Sequence, residues 1–367
     1  MSRIKNGIIQ IDRVSVPDYD NYDDMLWYLK IEDTTANAET KFVRARLYPA
    51  DGDVFSDIST WTFKVAQDVV PGWFDEDIDR QRMVNAVTTW ANNRIFVGVD
   101  GLLISKGSGF YLKDCTNATL QGLISVHELH DCSVTAMHGT SKVENMRGSS
   151  ITTMYNSSKV ENMYDTSEVG TMKNSSEVGT IYDSAMVMYM QDSAKVKFMR
   201  DSASVDTMLE TAKVGTMYDS SKVITMHDKS SIETMYDSAE VDNMNDSAST
   251  GTMRDKSEVR LMFGSSAVSA VHDSAKVNLM NNTSSINKMC DSSSVTAMYT
   301  SAMIDKMQDS SSVNSMYGAS KVDKMHDSSS VNSMQNSSVV GTMYDSATVE
   351  EMRDSASLER DERFSIG

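Results

Sequence analysis

Aspartate is the residue type whose spacing most suggests a binding chemistry in this sequence. It recurs two residues after Met in units of nine, as at Asp219, Asp228 and Asp237. Nonapeptide β-rolls bind calcium with such aspartates, but their motif also needs Gly-Gly-x-Gly before the Asp, where this chain has Ser and Ala. Asn174 and Gly264 replace the Asp in other units, as turn residues do. We therefore expect turns at these positions and no calcium site.

Histidines and cysteines near residue 130 are the second set of candidate ligands. His127, His130 and Cys132 lie in the segment HELHDC, with Cys115 nearby, and these donor types suit zinc. On a strand, however, side chains alternate between faces, so this spacing would scatter the donors. With Cys290 the cysteines number three, an odd count without a disulfide framework. The expectation is reduced thiols, no metal and no cofactor.

The position after each Met is the third candidate for chemistry. Tyr there would form either a stacked strip for a sugar or a partner protein, or aromatic pairs that only stabilise neighbouring strands, and we favour the second. His shares the position with Arg, Gln and Asn, which indicates a tolerant outer site, and no Ser/His/Asp grouping stands out. The sequence therefore predicts no catalytic residue and a protein that is not an enzyme. The residues are Tyr155, Tyr164, Tyr182, Tyr218, Tyr236, Tyr299, Tyr317, Tyr344, His138, His227, His272 and His326.

Two departures from the polar pattern also bear on binding. Met186, Met188 and Met303 replace polar residues and predict a local apolar patch on which a second chain could pack. Thr directly before Met, as at Thr216 and Thr234, is a weak sign of an ice-binding ladder, because it recurs over several units but not throughout. Neither departure identifies a ligand.

All of these residues are positioned by a nine-residue repeat. From Val134 to Met352 the sequence has 25 units of Val-x-x-Met followed by five mostly polar residues, usually x-Asp-Ser-Ser/Ala-x. Of the 29 Met in the chain, 23 stand at the fourth position of a unit. Nine residues are too few for two packed helices, and Asp-Ser-Ser favours turns, so each unit is predicted to be a short strand and a corner. Val, Met and the Ser or Ala two residues before the Val should point inward.

Successive units must stack to bury these residues, which predicts a parallel β-solenoid. Its coil contains either two units, 18 residues, or three, and tyrosine pairs such as Tyr164 and Tyr182 favour two. About 12 coils at the ~4.8 Å strand spacing would form a rod of roughly 60 Å, and parallel crossovers favour a right-handed path. The expected domains are a small α+β docking or capping domain at 1–115, the solenoid at 116–355 and a C-terminal cap or tail at 356–367.

The first 115 residues differ in composition from the repeats. All four Trp and all three Pro precede residue 91. Apolar patterning predicts strands near Ile8 and at 25–31, 41–48 and within 61–70, and helical spacing after Asp75 predicts one amphipathic helix packed on a small sheet. Short strands between residues 95 and 112 should lead into the solenoid.

The net charge of −18 limits the partners. It divides into −5 up to Cys115 and −13 after it, so both parts are acidic. Nucleic acid and anionic membrane surfaces require clustered Lys and Arg and are poor partners. The sequence begins without the apolar run of a secretory signal and contains no run near ~20 apolar residues, so neither a signal peptide nor a membrane span is expected.

In repeats such as SSKVENMYDTSEV at 157–169, the chain resembles nonapeptide, pentapeptide-like β-solenoid proteins of bacteria and their phages. The resemblance implies a β-helical shaft behind a docking domain, as in phage tail fibres, spikes and capsid decoration proteins. The protein would then be a non-enzymatic structural component of a virion. It would contact other virion proteins through residues 1–115, and its further partner would be a host-surface glycan or protein.

The oligomeric state and one alternative function stay open at this point. Fibres of this type are often trimers, although no continuous apolar stripe on the outer positions requires a homo-oligomer. The alternative is a soluble acidic binding module, in the cytoplasm or at a cell surface. Such a module would be either a DNA mimic that inhibits topoisomerases or a bacterial adhesin. The sequence departs from the five-residue A-D/N-L-x-x pattern of the DNA mimics, which weakens that alternative.

Overall fold

The computed structural model describes residues 4–17 and 21–363. Within them, a domain with one antiparallel sheet leads into two parallel sheets of 15 and 16 strands. These sheets form a β-solenoid of about 15 turns with 18 residues in each regular coil, so the predicted fold class is confirmed. Residues 1–3 and 18–20 of the predicted N-terminal domain and residues 364–367 of the predicted C-terminal tail lie outside the described residues.

The N-terminal domain is a four-stranded sheet with helices on both faces. Its strands are β1 Lys5–Ile9, β2 Val14–Ser15, β3 Val43–Tyr48 and β4 Thr62–Val65, and its helices are α1 Tyr22–Tyr28, α2 Thr35–Ala38 and α3 Glu76–Ala91, with 3-10 turns at Ala50–Gly52 and Ile58–Thr60. The strand order is β2-β1-β3-β4, all antiparallel. The predicted strands near Ile8, at 41–48 and within 61–70 are therefore confirmed. So is the helix after Asp75, whose carboxylate accepts the first free N–H groups of α3.

The prediction of a strand at 25–31 is wrong, because most of this segment lies in helix α1. Asn21 caps the helix by accepting the N–H of Asp23, which satisfies a donor that the first turn leaves free. The apolar run resembles a strand by composition, yet only Met25 and Leu26 are buried in the helix. A seven-residue helix is too short to show clear periodicity, so the cap is the decisive signal.

The sheet separates α1 from the solenoid. Neighbouring residues of a strand point to opposite faces, and accordingly Ile8 packs against α1 whereas Ile9 packs against α3. The α3 side also contains Ile95 and Tyr111 of the first coils. Helix α1, whose Trp27 side chain is 81% exposed, therefore lies on the face turned away from the solenoid.

The N-terminal domain covers the start of the solenoid through aromatic contacts. The rings of Trp90 and Tyr111 meet edge to face at 6.4 Å. Phe55 makes a similar contact with His130, and the Lys113 ammonium lies 5.6 Å from the centre of the Phe55 ring. A solenoid needs such a cover, because its first coil would otherwise expose the apolar core.

Strands of the solenoid alternate between two sheets along the chain. The even sheet contains the even-numbered strands from β6 to β34, and the odd sheet the odd-numbered strands from β5 to β35. At the ~4.8 Å spacing the stack is roughly 70 Å long. The strands are β5 Ile95–Val97, β6 Leu103–Ile104, β7 Gly107–Lys113, β8 Ala118–Gly122, β9 Ile124–His130, β10 Ser133–Gly139, β11 Lys142–Arg147, β12 Ser150–Met154, β13 Lys159–Tyr164, β14 Glu168–Met172, β15 Glu177–Ile181, β16 Met186–Met190, β17 Lys195–Met199, β18 Ser204–Met208, β19 Lys213–Met217, β20 Lys222–Met226, β21 Ser231–Met235, β22 Glu240–Met244, β23 Ser249–Met253, β24 Glu258–Met262, β25 Ala267–Val271, β26 Lys276–Met280, β27 Ser285–Met289, β28 Ser294–Met298, β29 Met303–Met307, β30 Ser312–Met316, β31 Lys321–Met325, β32 Ser330–Met334, β33 Val339–Met343, β34 Thr348–Met352 and β35 Ser357–Asp361.

The stack is longer than the 12 coils expected from the regular units. Strands β5 to β9 precede the first regular unit, and strand β35 follows the last one. The first coils are also shorter, since Ile95 pairs with Tyr111 and Lys142 pairs with Lys159. From β12 onward each strand pairs with its equivalent one full regular coil later. The shorter early corners hid these coils from a search for nine-residue spacing.

One continuous core runs through the solenoid. The first and fourth residues of the units from Val134 to Met343 are buried. Each lies beside its equivalent one coil away, as Val223 beside Val241 in the ladder between β20 and β22. Ser or Ala two residues before the Val forms a third buried column. The predicted inward positions are therefore confirmed.

At the C-terminal end of the solenoid the apolar core is only partly covered. Strand β35 pairs with β33, so part of the segment expected to form a cap extends the odd sheet. Met352 in the last even strand is 43% exposed. Arg363 donates to the Ala347 carbonyl and pairs with Asp361, and its hydrogen bonds lower the pKa of Asp361 to about 2. Among the described residues, the two ends of the solenoid are thus covered to different degrees.

The serines of the third buried column differ in their hydrogen bonding. The Ser329 hydroxyl donates to the His326 carbonyl at 2.7 Å, whereas the equally buried Ser221 hydroxyl has no partner among the described residues. A buried polar group without a partner costs about 1 to 3 kcal/mol. Ala203 and Ala239 occupy the same position one coil before and after Ser221, so an alanine fits there.

We expect opposite effects from two matched substitutions in this column. Ser221→Ala should raise the free energy of unfolding by about 1 kcal/mol, because it removes an unpaired hydroxyl. Ser329→Ala should lower it by about 1 kcal/mol, because it removes a made hydrogen bond. Urea unfolding followed by circular dichroism measures both. Effects of the same sign and size would contradict this assignment.

Candidate binding surfaces of the solenoid

The two edges of the solenoid carry different corner residues. The corners after the odd strands from β13 to β33, here called the Asp corner, present Asp in every coil. The corners after the even strands, the mixed corner, vary. The Asp corner contains Asp165, Asp183, Asp201, Asp219, Asp237, Asp255, Asp273, Asp291, Asp309, Asp327 and Asp345. The mixed corner contains Asn156, Asn174, Asp192, Glu210, Asp228, Asp246, Gly264, Asn282, Thr300, Gly318, Asn336 and Asp354.

Each of these residues makes a turn. All have a positive φ, between 53° and 67°, a conformation that Asp, Asn and Gly adopt more easily than other residues. A main-chain bond closes each turn, as from the N–H of Ser221 to the carbonyl of Tyr218 at 3.1 Å. The interpretation of these positions as turns is confirmed.

The corner carboxylates also accept main-chain hydrogen bonds within the fold. The N–H of Asp219 donates to the Asp237 carboxylate of the next coil at 3.1 Å, and this bond repeats along the Asp corner. At the mixed corner the Asn174 amide oxygen accepts the equivalent bond from Asn156. Carboxylate and amide oxygens can both accept this bond, which explains why Asn can replace Asp. In the described part of the chain, no three His, Cys, Asp or Glu side chains are grouped so that they could hold a metal ion.

The difference between the two corners was missed from the sequence. The signal was present, because Asn174, Gly264, Asn282, Gly318 and Asn336 are separated by multiples of 18 residues. A search with a period of nine merges the two corners into one variable position. A period of 18 separates them and shows one edge without substitution.

The outer position after Met forms a stacked column beside the Asp corner. Tyr164 and Tyr182 stack with ring centres 4.9 Å apart, and the Arg147 guanidinium lies 4.1 Å from the Tyr164 ring centre. The pattern repeats three coils later, where Arg200 lies over Tyr218 and Tyr218 stacks on its neighbour. The faces of these rings contact neighbouring rings or arginine guanidinium groups. The column therefore stabilises adjacent coils and presents mainly ring edges to a ligand.

The candidate zinc ligands lie on different sides of the chain. Cys115 and Cys132 are buried on consecutive coils, where the Cys115 N–H donates to Cys132 Sγ. His127 lies outside and contacts Glu144 at 2.9 Å. Burial raises the pKa of the Cys132 thiol to about 12, so the thiol is protonated at neutral pH. These residues are packed for structure and do not converge on one point.

Of the three methionines proposed as an apolar patch, two lie together. Met186 and Met188 lie on strand β16, beside Tyr189, which is 44% exposed. Met303 lies on strand β29 of the odd sheet. The patch on the even sheet therefore consists of Met186, Met188 and Tyr189. The coil length of 18 residues is needed to see that Met303 lies on the other sheet.

The threonines do not form one ladder. Thr216 and Thr234 pair on the odd sheet, but Phe198 interrupts the row before them. On the even sheet, Tyr189 separates Thr171 from the next threonine. Flat ice-binding surfaces need an uninterrupted array, so the interruptions argue against that reading.

Charged side chains form a ladder on the odd sheet between β11 and β17. Lys159 bridges Glu161 and Glu177 at 2.9 and 3.1 Å, and Lys197 contacts Glu177 at 2.9 Å. Burial alone would raise the pKa of Glu177, but the hydrogen bonds from Lys197 and Lys159 outweigh it and lower the pKa. A groove of about 450 Å³ lies along this ladder.

No protein-family model, no curated protein and no solved structure matches this chain significantly. None of the described helices has both the length and the apolar character needed to cross a bilayer. Function must therefore be argued from the surfaces of the molecule.

Substitutions at Asp237 test the role of the Asp corner. Asp237→Asn should be tolerated, because an amide oxygen accepts the same bond at Asn174. Asp237→Val should cost about 2 kcal/mol or more, because a β-branched residue is disfavoured at φ 54° and the Asp219 N–H loses its acceptor. Urea unfolding of both variants measures the difference. If Val were tolerated as well as Asn, the corner would not depend on the side chain.

Asp246 at the mixed corner provides a test by pH. The Asp228 N–H and the His227 side chain donate to its carboxylate and lower its pKa below the ordinary 3.8. The pKa of Asp246 is lower in the folded protein than in the unfolded chain, so its carboxylate stabilises the fold at pH values above the unfolded pKa. This stabilisation is lost as the pH falls through the folded pKa. Asp246→Asn should therefore destabilise the protein more near pH 7 than near pH 2 in urea unfolding. An equal cost at both pH values would show that charge plays no part.

Proposed function

We propose that this protein is a non-enzymatic structural component of a virion, a fibre, spike or decoration protein that docks through its N-terminal domain. The observation that carries the proposal is the exposed Trp27 of α1, on the far side of the N-terminal sheet from the solenoid. The domain would then bind a particle with one face while the rod extends from the other. The resemblance of the repeats to phage shafts supports the choice of partner.

Helix α1 has the composition of a protein interface. Trp27 and Tyr28 are 81% and 69% exposed, and exposed aromatic residues of this kind are the usual energetic centres of interfaces. A groove of about 490 Å³ beside them is lined by Leu26 and Ile31 together with charged residues. A large apolar ring in water is unfavourable unless a partner covers it.

The solenoid has the properties of a spacer. Its core is continuous, its coils repeat without an inserted loop from β12 to β34, and its outer positions are mostly polar. The long parallel ladders resist bending, because every coil is bonded to the coils on both sides. Such a rod suits a shaft better than an enzyme, because catalytic residues lie disproportionately on loops.

DNA mimicry, the alternative, has less support from the surface. Eleven aspartates form one row at the Asp corner, but their ~4.8 Å spacing differs from the ~3.4 Å rise per phosphate that each DNA strand has along the helix axis. Their carboxylates also accept main-chain bonds from the neighbouring coil. Arg147 and Arg200 lie in the adjacent column and reduce the local negative charge.

Particle association of two matched variants tests the proposal. Virions from cells that encode this chain should contain the wild-type protein and Ile78→Ala, which removes a 61% exposed apolar residue on α3. Trp27→Ala should be depleted at least about tenfold, because it removes the central aromatic of the docking face. Quantitative immunoblots of gradient-purified particles measure this. If wild-type protein never copurifies with particles, or if both variants bind normally, the proposal is wrong.

A further inference from the structure

Phe198 is an exception on the odd sheet. It stands at the position before Met, and its partners on the neighbouring coils are Thr180 and Thr216. Its side chain is 41% exposed. Unlike Tyr164, it is not stacked on another aromatic ring within the described residues. One aromatic face is therefore open to a ligand on a surface otherwise filled by polar residues.

The groove of about 450 Å³ begins at this ring. It crosses strands β11, β13, β15 and β17, a length of about 14 Å at the ~4.8 Å spacing. Gly179 keeps its floor low, since a Cβ there would lie 2.4 Å from the Glu161 carbonyl oxygen, so a larger residue cannot be accommodated without moving the strand. The lining residues are Lys142, Glu144, Asn145, Glu161, Asn162, Gly179, Thr180, Lys197 and Phe198.

The charged groups of the groove are held in place and balance each other. Lys142 and Lys159 contact the Glu161 carboxylate at 3.1 and 2.9 Å, and Lys197 contacts Glu177. Burial would raise the pKa of Glu161, but hydrogen bonds from Lys159 and Lys142 lower it, so the carboxylate is ionised at neutral pH. The lining contains two lysines and two glutamates, which leaves the groove close to neutral.

Two asparagine side chains supply oriented amides along the same wall. Asn162 Nδ2 donates to Asn145 Oδ1 and to the Glu144 carbonyl, both at 3.3 Å. Asn145 in turn donates to the His127 carbonyl. Side chains fixed in this way lose little conformational entropy when a ligand binds.

We propose that this groove binds a neutral oligosaccharide. The C–H face of a pyranose ring would lie on Phe198, and its hydroxyls would exchange hydrogen bonds with Asn162, Glu161 and Lys197. An open aromatic face beside planar polar groups suits a ligand with one apolar face and many hydroxyls. A neutral sugar fits the balanced charge of the groove, whereas the net charge of −18 repels acidic glycans. The site goes beyond the proposed docking role and does not depend on it.

Two threonine substitutions form a matched test on the intact protein. Phe198→Thr joins Thr180 to Thr216 on the odd sheet, and Tyr189→Thr joins Thr171 to Thr207 on the even sheet, so both variants continue a row that the fold already contains. A printed array of neutral, sialylated and uronic-acid oligosaccharides is the probe. Wild type and Tyr189→Thr should bind the same neutral glycans. Phe198→Thr should bind them at least about tenfold more weakly, as expected for the loss of an aromatic contact.

Circular dichroism and thermal unfolding of both variants provide the folding control, and Asn162→Ala provides a second, polar substitution in the groove. The proposal predicts weaker binding for Asn162→Ala in a protein that stays folded, with only the small loss of thermal stability expected from the removal of its two hydrogen bonds. It is overturned if wild type binds no neutral glycan, if only acidic glycans bind, or if Tyr189→Thr loses as much binding as Phe198→Thr. Particle association of Phe198→Thr, measured as for the docking variants, should be normal, which separates failure of this site from failure of the docking proposal.

Discussion

The main-chain hydrogen bonds between coils are the interaction on which the rest of the molecule depends. In the regular coils each strand pairs in parallel with the strand one coil away, so a residue always lies beside its equivalent, as Met226 lies beside Met244. A slip of one residue would turn the inward Val and Met toward solvent. Repeated inward residues fix the register, and the register then fixes the position of every outer side chain. Surfaces on this protein are therefore columns, and each column can be changed without changing the core.

The choice of Met for one inward column follows from the same constraint. In the regular coils identical side chains must stack along the whole column between two sheets, and an unbranched thioether adapts to small differences between coils. Ile181 and Val271 take the place of Met in the odd sheet and remain fully buried, which shows that the column tolerates smaller residues. Val beside it is β-branched and suits the extended strand. The core thus combines one stiff column with one adaptable column.

Most of the fold could be predicted from the sequence because each inward position recurs in every unit. The strands, the inward residues and the preference for two units per coil all follow from the spacing of Val, Met and Tyr. The coils before Val134 could not be counted correctly, because their corners are shorter and their core residues, such as Leu112 and Leu120, are not Val or Met. Helix α1 was mistaken for a strand because its seven residues are too few to show a helical period.

The candidate groove was beyond sequence analysis for a different reason. Tyr189 and Phe198 belong to the same coil and are nine residues apart, so a nine-residue period treats them as equivalent. The two-unit coil places them on opposite faces with different neighbours. Tyr189 lies beside Met186 and Met188 on the even sheet, whereas Phe198 lies beside the amides and ion pairs of the odd sheet. On the preceding coil a glycine stands directly before the threonine that pairs with each aromatic, Gly170 before Thr171 and Gly179 before Thr180. A glycine near an aromatic ring is therefore not sufficient to make a polar site. The side chains of the neighbouring columns decide whether the space next to the ring is apolar or can recognise hydroxyl groups.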